Sequence, residues 1–243
     1  HGQVNLHSAL VQSCDVYFYK LALVLGIQHM KDFLARFGFG TPTGIDIMGE
    51  SPGLLPSREW KEARGEAWYP GETVVTGIGQ GPILATPLQL ASAVSMLASG
   101  GRQVTPRLLR AVQDPKSGAL QHTAAELQRK TVLKRTDAWS LVQAGMVDVV
   151  HGEKGTARRV GWNAPYKIAG KTGTAQVKAL AQGEEYDEEQ TPEHLRDHAL
   201  FIAFAPADDP QSAGAGGGEN GGAGSAAAAP ARARAGRRTG RRG

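Results

Sequence analysis

A short β-rich run that contains glycine is the most constraining stretch of the sequence. It covers residues 166–177, and from 169 to 175 it reads Ala-Gly-Lys-Thr-Gly-Thr-Ala. A glycine inside a strand often marks close approach by another backbone. A lysine, two threonines and a bare backbone edge suit an extended peptide ending in a carboxylate, because they offer a cation, hydroxyl donors and strand pairing. The run therefore predicts a peptide-binding strand, with an ordinary strand followed by a turn as the alternative.

The size and charge of the chain limit its class. Its 243 residues suffice for one large domain with a real core. No run of about 18 apolar residues is present, so we expect no membrane span in it. Residues 212–243 hold six Arg against one Glu, so they account for the net charge of +4 and leave residues 1–211 at −1. The basic character belongs to the tail, and we expect no nucleic-acid partner.

The predicted elements form a helical block followed by strands with one more helix among them. Asn5 is predicted to cap the first helix, and the helical pattern is interrupted at 13–15. Gly26 is predicted to separate two further helices. Residues 41–72 show no sustained hydrophobic periodicity and are expected to form a long ordered loop. The predicted helices cover 5–10, 16–25, 27–37, 87–98 and 137–151, and the predicted strands cover 107–112, 167–177 and 199–205. This order favours an α+β domain with helices packed on an antiparallel sheet.

Two short motifs stand far apart in the chain. Ser13-Cys14-Asp15 has the form Ser-x-Asp, and Lys171-Thr172-Gly173 lies within the glycine-containing strand. Both match the signature set of β-lactamases and penicillin-binding proteins, in which they are the middle and the last element and Ser-x-x-Lys is the first. Five stretches between the two motifs resemble the class B penicillin-binding proteins: 53–57, 60–61, 68–71, 78–81 and 86–91. A sixth, 194–201, resembles their penicillin-binding protein 2 group. Together these residues resemble the class B penicillin-binding proteins over residues 1–211, most closely the penicillin-binding protein 2 group.

The resemblance implies a fold, an activity and partners. The fold is the α+β one of the β-lactamase/transpeptidase type. The activity is that of a serine-type peptidoglycan D,D-transpeptidase, which crosslinks D-Ala-D-Ala stem peptides through an acyl-enzyme and is acylated by β-lactam antibiotics. The family also implies a glycan-polymerising membrane partner and a place on the periplasmic side of the bacterial inner membrane. A serine β-lactamase or penicillin sensor and a non-catalytic remnant with a basic tail are the two alternatives.

The catalytic roles that the resemblance implies fall on Ser13, Asp15 and Lys171. Ser13 passes a proton to or from the leaving amine, because one hydroxyl is both donor and acceptor. Asp15 orients Ser13 and the substrate amide. Lys171 keeps a positive potential beside the serines and near the substrate carboxylate.

The substrate-binding roles that it implies fall on Thr172, Gly173 and Thr174. The two threonine hydroxyls bind the substrate or β-lactam carboxylate, and the Thr174 backbone N–H is one oxyanion-hole donor. Strand alternation places Lys171 and Thr172 on opposite faces. How both reach one site is left open by the sequence.

The chain departs from the family pattern at both ends. No Ser-x-x-Lys occurs, so we expect the nucleophile to precede residue 1 and the chain alone to be inactive. The expected domain is a partial transpeptidase domain over 1–211. The remainder, 212–243, is expected to be disordered or mis-encoded, because 213–218 reads Ala-Gly-Ala-Gly-Gly-Gly where the family has a valine-rich strand. One base change converts any valine codon to a glycine codon.

Metal chemistry is suggested by two residues near the start. Cys14 is the single cysteine, which excludes an internal disulfide. His1 and Cys14 supply an imidazole and a thiolate, which are two of the four ligands of a tetrahedral zinc site. The resemblance implies that catalysis requires no cofactor and that some relatives carry zinc at this place. A structural zinc in the intact parent is therefore one interpretation, and a buried free thiol beside a solvated histidine is the other.

Overall fold

The fold places seven helices and seven strands in the described part of the chain. The computed structural model describes residues 1–124, 126–177, 187 and 191–222. Its helices are α1 Leu6–Val11, α2 Asp15–Ala35, α3 Arg58–Glu62, α4 Pro70–Thr76, α5 Pro87–Ala98, α6 Ala138–His151 and α7 Arg158–Gly161, with a 3₁₀ turn at Glu193–Leu195. Its strands are β1 Arg102–Val104, β2 Ala111–Gln113, β3 Leu120–His122, β4 Leu127–Lys130, β5 Ala169–Ala175, β6 His198–Ala205 and β7 Ser212–Gly218.

The helix boundaries follow local sequence signals. Asn5 caps α1 with a reciprocal capping box, and Thr86 does the same for α5, whose first residue is Pro87. Gly26 has a φ of 72° and interrupts α2, so the two helices predicted around it form one kinked element. Within the described residues, no helix combines the length and the apolar character that a membrane crossing requires.

A three-stranded antiparallel sheet is the centre of the domain. β6 lies between β5 and β7, while β1 pairs with β4 and β2 pairs with β3 in two small separate sheets. Residues that pair across neighbouring strands share one face of a sheet. Lys171 of β5 pairs with Ile202 of β6, and the next residue, Thr172, pairs with Phe201. Lys171 and Thr172 therefore belong to opposite faces, as strand alternation predicts.

Both faces of this sheet are covered by helices. On one face Ala169 and Phe204 pack in a cluster with Met146 of α6, which also receives side chains from α1 and α5. On the other face Phe201 packs in a cluster with the end of α6 and with Val160 of α7. The helices and the antiparallel sheet confirm the predicted α+β class.

The sheet continues beyond the domain boundary that the sequence predicts at residue 211. β7 runs from Ser212 to Gly218 and pairs with β6 along its whole length, although four of its seven residues are glycine. Backbone hydrogen bonds define a strand, and glycine supplies them as well as valine does. The boundary at 211 is therefore too early. Residues 223–243 of the predicted tail lie outside the described residues, and the mis-encoded end stays a prediction.

Candidate active site

The outer edge of β5 borders the candidate site. Among the described residues, β5 pairs with β6 on one side only. The Lys167 carbonyl accepts a hydrogen bond from Ala207 N–H on the β6 side (2.8 Å), whereas the Thr174 carbonyl accepts one from Gln80 Nε2 on the opposite side (2.6 Å). Because backbone direction alternates along a strand, the N–H and C=O groups of Thr172 point to the outer edge as those of Thr174 do.

Lys171 connects this strand to the junction between α1 and α2. Its Nζ donates one hydrogen bond to Ser13 Oγ and another to the Thr172 carbonyl oxygen (2.7 Å). Lys171 lies on the sheet face that packs against α1 and α6, so its side chain is directed towards the junction. The structure thus brings together two predicted catalytic residues that are 158 positions apart.

The junction presents Ser13 because one helix ends there and the next begins. Ser13 N–H donates to the Leu10 carbonyl (3.4 Å), and Cys14 N–H donates to the Ala9 carbonyl (2.9 Å). Ser13 has a φ of 50°, which is uncommon for a residue other than glycine and is often found at functional sites. Cys14 is buried, while the exposed Asp15 lies in the first turn of α2, where the helix dipole favours a carboxylate.

Burial determines the protonation chemistry of Lys171. Desolvation lowers the pKa of Lys171 to about 8, and the negative charge of Asp15 acts in the opposite direction. Near neutral pH this side chain therefore holds its proton less firmly than an exposed lysine does. With its ammonium on Ser13 Oγ, it can donate a proton to the hydroxyl oxygen and accept one back.

Thr172 reaches the site from the other face of the sheet. Its Oγ1 lies 2.9 Å from the hydroxyl oxygen of Thr156, which precedes α7, and 3.5 Å from Lys171 Nζ. The ammonium of Lys171 extends to the outer edge of β5, where the two faces meet. This explains how residues on opposite faces contribute to one site, a point that strand alternation alone left open.

Gln80 is a site residue that the sequence did not identify. Its carboxamide donates to the Thr174 carbonyl (2.6 Å) and accepts from Gln176 N–H (3.2 Å), so it forms two strand-type bonds with β5. In the sequence the stretch 78–81 marks only the family resemblance. The available signal was a glutamine between Gly79 and Gly81, both of which have positive φ in the structure (77° and 78°).

The two glycines of β5 differ in what surrounds them. A Cβ on Gly170 would lie 2.5 Å from Phe201 Cζ, so internal packing requires glycine there. A Cβ on Gly173 would lie 3.5 Å from Leu200 Cβ, which is an ordinary contact. Packing within the described residues therefore does not explain Gly173, which lies on the same face as Lys171.

The suggested zinc residues, His1 and Cys14, line one cavity of about 540 Å³ that also includes Tyr17 and Lys20. Within the ranges that the structure describes, no three His, Cys, Asp or Glu side chains are grouped closely enough to hold a metal ion. The thiol and imidazole have the donor chemistry that zinc prefers, but they form half of a tetrahedral set. A zinc ion there needs further ligands from outside these residues.

The sequence also matches a known family over most of its length. Residues 1–235 match the penicillin binding protein transpeptidase domain. The chain belongs to this family. The predicted resemblance to class B penicillin-binding proteins and the predicted transpeptidase-like fold are therefore confirmed.

Individual relatives show how much of this transpeptidase domain the chain includes. It is 45% identical over 216 residues to the peptidoglycan D,D-transpeptidase MrdA of Acinetobacter baumannii. The matched region is 88% of this chain but only 31% of that relative. It resembles the crystal structure of Pseudomonas aeruginosa PBP2 in complex with WCK 5153 at 45% identity and a TM-score of 0.79, covering 95% of this chain and 48% of the other. The complex of PBP2 and MreC from Helicobacter pylori gives 29% identity and a TM-score of 0.83, covering 99% and 41%. The chain thus spans about a third of the length of MrdA.

In this penicillin-binding transpeptidase domain, the structure brings together three of the predicted site residues, Ser13, Lys171 and Thr172. The charge of Asp15 raises the pKa of Lys171. That Asp15 orients Ser13 stays a prediction. Thr174 lies on the same strand and has its carbonyl held by Gln80. The catalytic and carboxylate-binding roles of all these residues also stay predictions.

Proposed function

We propose that this domain forms part of a peptidoglycan D,D-transpeptidase that works through an acyl-serine intermediate. The observation that carries the proposal is the contact of Lys171 Nζ with Ser13 Oγ beside the outer edge of β5, in a chain of the penicillin-binding transpeptidase family. A lysine whose pKa is lowered by burial to about 8, in contact with a serine, suits proton transfer near neutral pH. The edge strand beside it suits an extended peptide.

The reaction divides into acylation and acyl transfer. A serine hydroxyl gives its proton to a neighbouring base and its oxygen attacks the carbonyl carbon of the penultimate D-alanine. The C–N bond breaks, and the terminal D-alanine leaves as an amine after it takes up a proton. Ser13 delivers this proton, and Lys171 replaces it on the Ser13 oxygen. In the second step the amine of another stem peptide attacks the ester and passes its proton through Ser13 to Lys171. The base returns its proton to the departing serine oxygen, and the serine is released.

The attacking serine expected from the family's Ser-x-x-Lys motif is not among these residues. The 243 residues contain no Ser-x-x-Lys, and the chain spans about a third of the length of MrdA. We therefore assign the nucleophile to a Ser-x-x-Lys segment outside this sequence. The chain alone is then expected to acylate poorly, because the covalent step lacks its nucleophile.

The proposed ligands and surroundings follow from the reaction. The substrates are stem peptides ending in D-Ala-D-Ala, and β-lactam antibiotics acylate the same serine. We place the domain on the periplasmic side of the bacterial inner membrane, beside a glycan-polymerising membrane partner. Support for a protein partner comes from the Helicobacter pylori relative, whose structure is a complex with MreC.

Labelling with a fluorescent penicillin tests the function. The assay compares this chain with the same chain extended upstream through its own Ser-x-x-Lys segment, and it follows label on a denaturing gel. Stable label on the extended protein alone supports the proposal. Rapid loss of the label by hydrolysis indicates a β-lactamase instead, and no label on an extended protein that is folded by circular dichroism contradicts the proposal. Label on the chain as given points to Ser13 as the nucleophile.

We also propose that the intact parent holds a structural zinc ion near His1 and Cys14, with its remaining ligands outside these residues. The support is the shared cavity and the donor chemistry of the two side chains. Metal analysis of the extended protein and its Cys14→Ser variant tests this. The expected result is about one zinc per molecule, with loss of metal and a lower melting temperature in the variant. Equal metal content in both proteins excludes Cys14 as a ligand.

A further inference from the structure

Gln80 forms a second connection between β5 and the part of the domain that contains α2 and α4. The first connection is the bond from Lys171 to Ser13, and the second is the pair of bonds between the Gln80 carboxamide and the backbone of Thr174 and Gln176. A carboxamide offers one donor group and one carbonyl acceptor, so it takes the place of a peptide group from a neighbouring strand. Both bonds lie on the outer edge of β5, which is the edge proposed to pair with substrate.

The turn that carries Gln80 is held firmly to α4. Gly79 N–H donates to the Thr76 carbonyl (2.9 Å) and Gln80 N–H donates to the Val75 carbonyl (3.1 Å), which closes the end of the helix. The glycines on both sides of Gln80 adopt positive φ, a conformation that other residues rarely adopt. The side chain therefore extends from a fixed turn and not from an irregular loop.

The helix behind this turn rests on the helix that begins beside Ser13. Gly77 ends α4 so close to α2 that an added Cβ would lie 2.4 Å from Ala22 Cβ and 3.4 Å from the Phe18 carbonyl oxygen. Gln80 is thus linked through α4 to α2, while its carboxamide is bound to β5. The two walls of the site are held together at Lys171 and again at Thr174–Gln176, three to five residues further along the strand, roughly 10–17 Å away.

We infer that Gln80 is a positioning residue for acyl transfer. This inference rests on the proposed function, because Gln80 fixes the Thr174 segment, and the Thr174 backbone N–H is the proposed oxyanion donor. An oxyanion donor is effective only when it is held in place before the reaction. Gln80 also occupies the Thr174 carbonyl and the Gln176 N–H, so an extended substrate pairs with the outer edge no further along than the Thr174 N–H.

The main test replaces Gln80 by methionine, which keeps the length of the side chain and removes both hydrogen bonds. In the extended protein, the first-order acylation rate by benzylpenicillin is expected to fall about tenfold, the effect of about 1.4 kcal/mol in the barrier. The constant for reversible penicillin binding before acylation is expected to stay within about twofold, because carboxylate recognition rests on other groups. The matched control is Gln113→Met, whose amide also donates to a backbone carbonyl, that of Gly118 (3.2 Å), in a distant hairpin. It is expected to acylate like the wild type.

A second measurement reads the contact directly and does not depend on acylation. Residue-resolved amide exchange is expected to show a protected Gln176 N–H in the wild type, exposure of it in Gln80→Met, and retained protection in Gln80→Glu, which keeps the acceptor and loses the donor. An unaltered acylation rate in a folded Gln80→Met protein overturns the inference, as does an unprotected Gln176 amide in the wild type. If the wild-type extended protein is not acylated at all, the proposed function fails, and the exchange data alone then decide whether Gln80 holds β5.

Discussion

Replacing Lys171 by methionine is expected to change the pH dependence of stability in a way that measures its buried charge. Burial lowers the pKa of Lys171 to about 8 from its ordinary value of 10.5. This difference corresponds to about 3 kcal/mol of unfolding free energy, because a tenfold change in proton affinity is about 1.4 kcal/mol. That energy is the cost of keeping the lysine charged in the folded domain near pH 7.

The variant removes this cost but also removes useful contacts. Methionine has a similar volume and no charge, yet it cannot donate to Ser13 or to the Thr172 carbonyl. Each lost hydrogen bond costs about 1 kcal/mol. We therefore expect Lys171→Met to be more stable than the wild type by about 1 kcal/mol at pH 7 and less stable by about 2 kcal/mol at pH 11.

The sign of this change follows from proton linkage. Between about pH 8 and the ordinary value of 10.5, the unfolded chain binds a proton that folded Lys171 has released. Wild-type stability consequently rises with pH across that window, and the variant lacks the rise. Urea unfolding of both proteins at intervals from pH 7 to pH 11, with reductant present for Cys14, measures the difference. Lys116→Met, at an exposed turn, controls for the loss of one lysine. A difference between Lys171→Met and wild type that does not vary with pH would refute the reasoning.

Four further predictions each concern a single residue. Asp15→Asn removes the negative charge that raises the pKa of Lys171, so the stability difference described above should begin to change at a lower pH. Gly170→Ala should lower the unfolding free energy by about 1–3 kcal/mol through its clash with a core phenylalanine. Gly173→Ala should cost less than about 1 kcal/mol in urea unfolding yet slow acylation of the extended protein, and equal effects of the two substitutions would contradict the assignment. Gly216→Val should raise the melting temperature, because open space surrounds that position in β7 and valine gives a less flexible unfolded chain.

Local chemistry made much of this fold predictable. Asn5 and Thr86 begin helices where their side chains cap the first turn, and Gly26 interrupts α2 because it adopts a positive φ. The strand with Lys171 was recognisable because a lysine, threonines and glycines in one β-rich run suit the binding of an extended peptide that ends in a carboxylate. Each of these signals acts within a few residues of the feature that it predicts, so no knowledge of the tertiary structure is needed.

The remaining features depend on contacts between distant parts of the chain. The bond between Ser13 and Lys171 joins residues 158 positions apart, and that between Gln80 and Thr174 joins residues 94 apart. No periodic pattern encodes such a pairing, so only the family resemblance connected Ser13 with Lys171. β7 escaped prediction for a different reason. Its glycines carry no side-chain pattern, whereas its pairing with β6 uses backbone groups that every sequence contains.

The position of the site at an outer strand edge follows from the geometry of its parts. Lys171 comes from one face of the sheet and Thr172 from the other, so their polar groups can meet only beyond the edge. A central strand has a neighbour on each side and cannot provide such a place. An open strand edge normally invites pairing with other chains, which proteins prevent with charges or by covering the edge. Here the Lys171 ammonium donates a hydrogen bond to the Thr172 carbonyl, and the Gln80 carboxamide binds the backbone of Thr174 and Gln176. The groups that assemble the site therefore also limit which chains can pair with the strand edge.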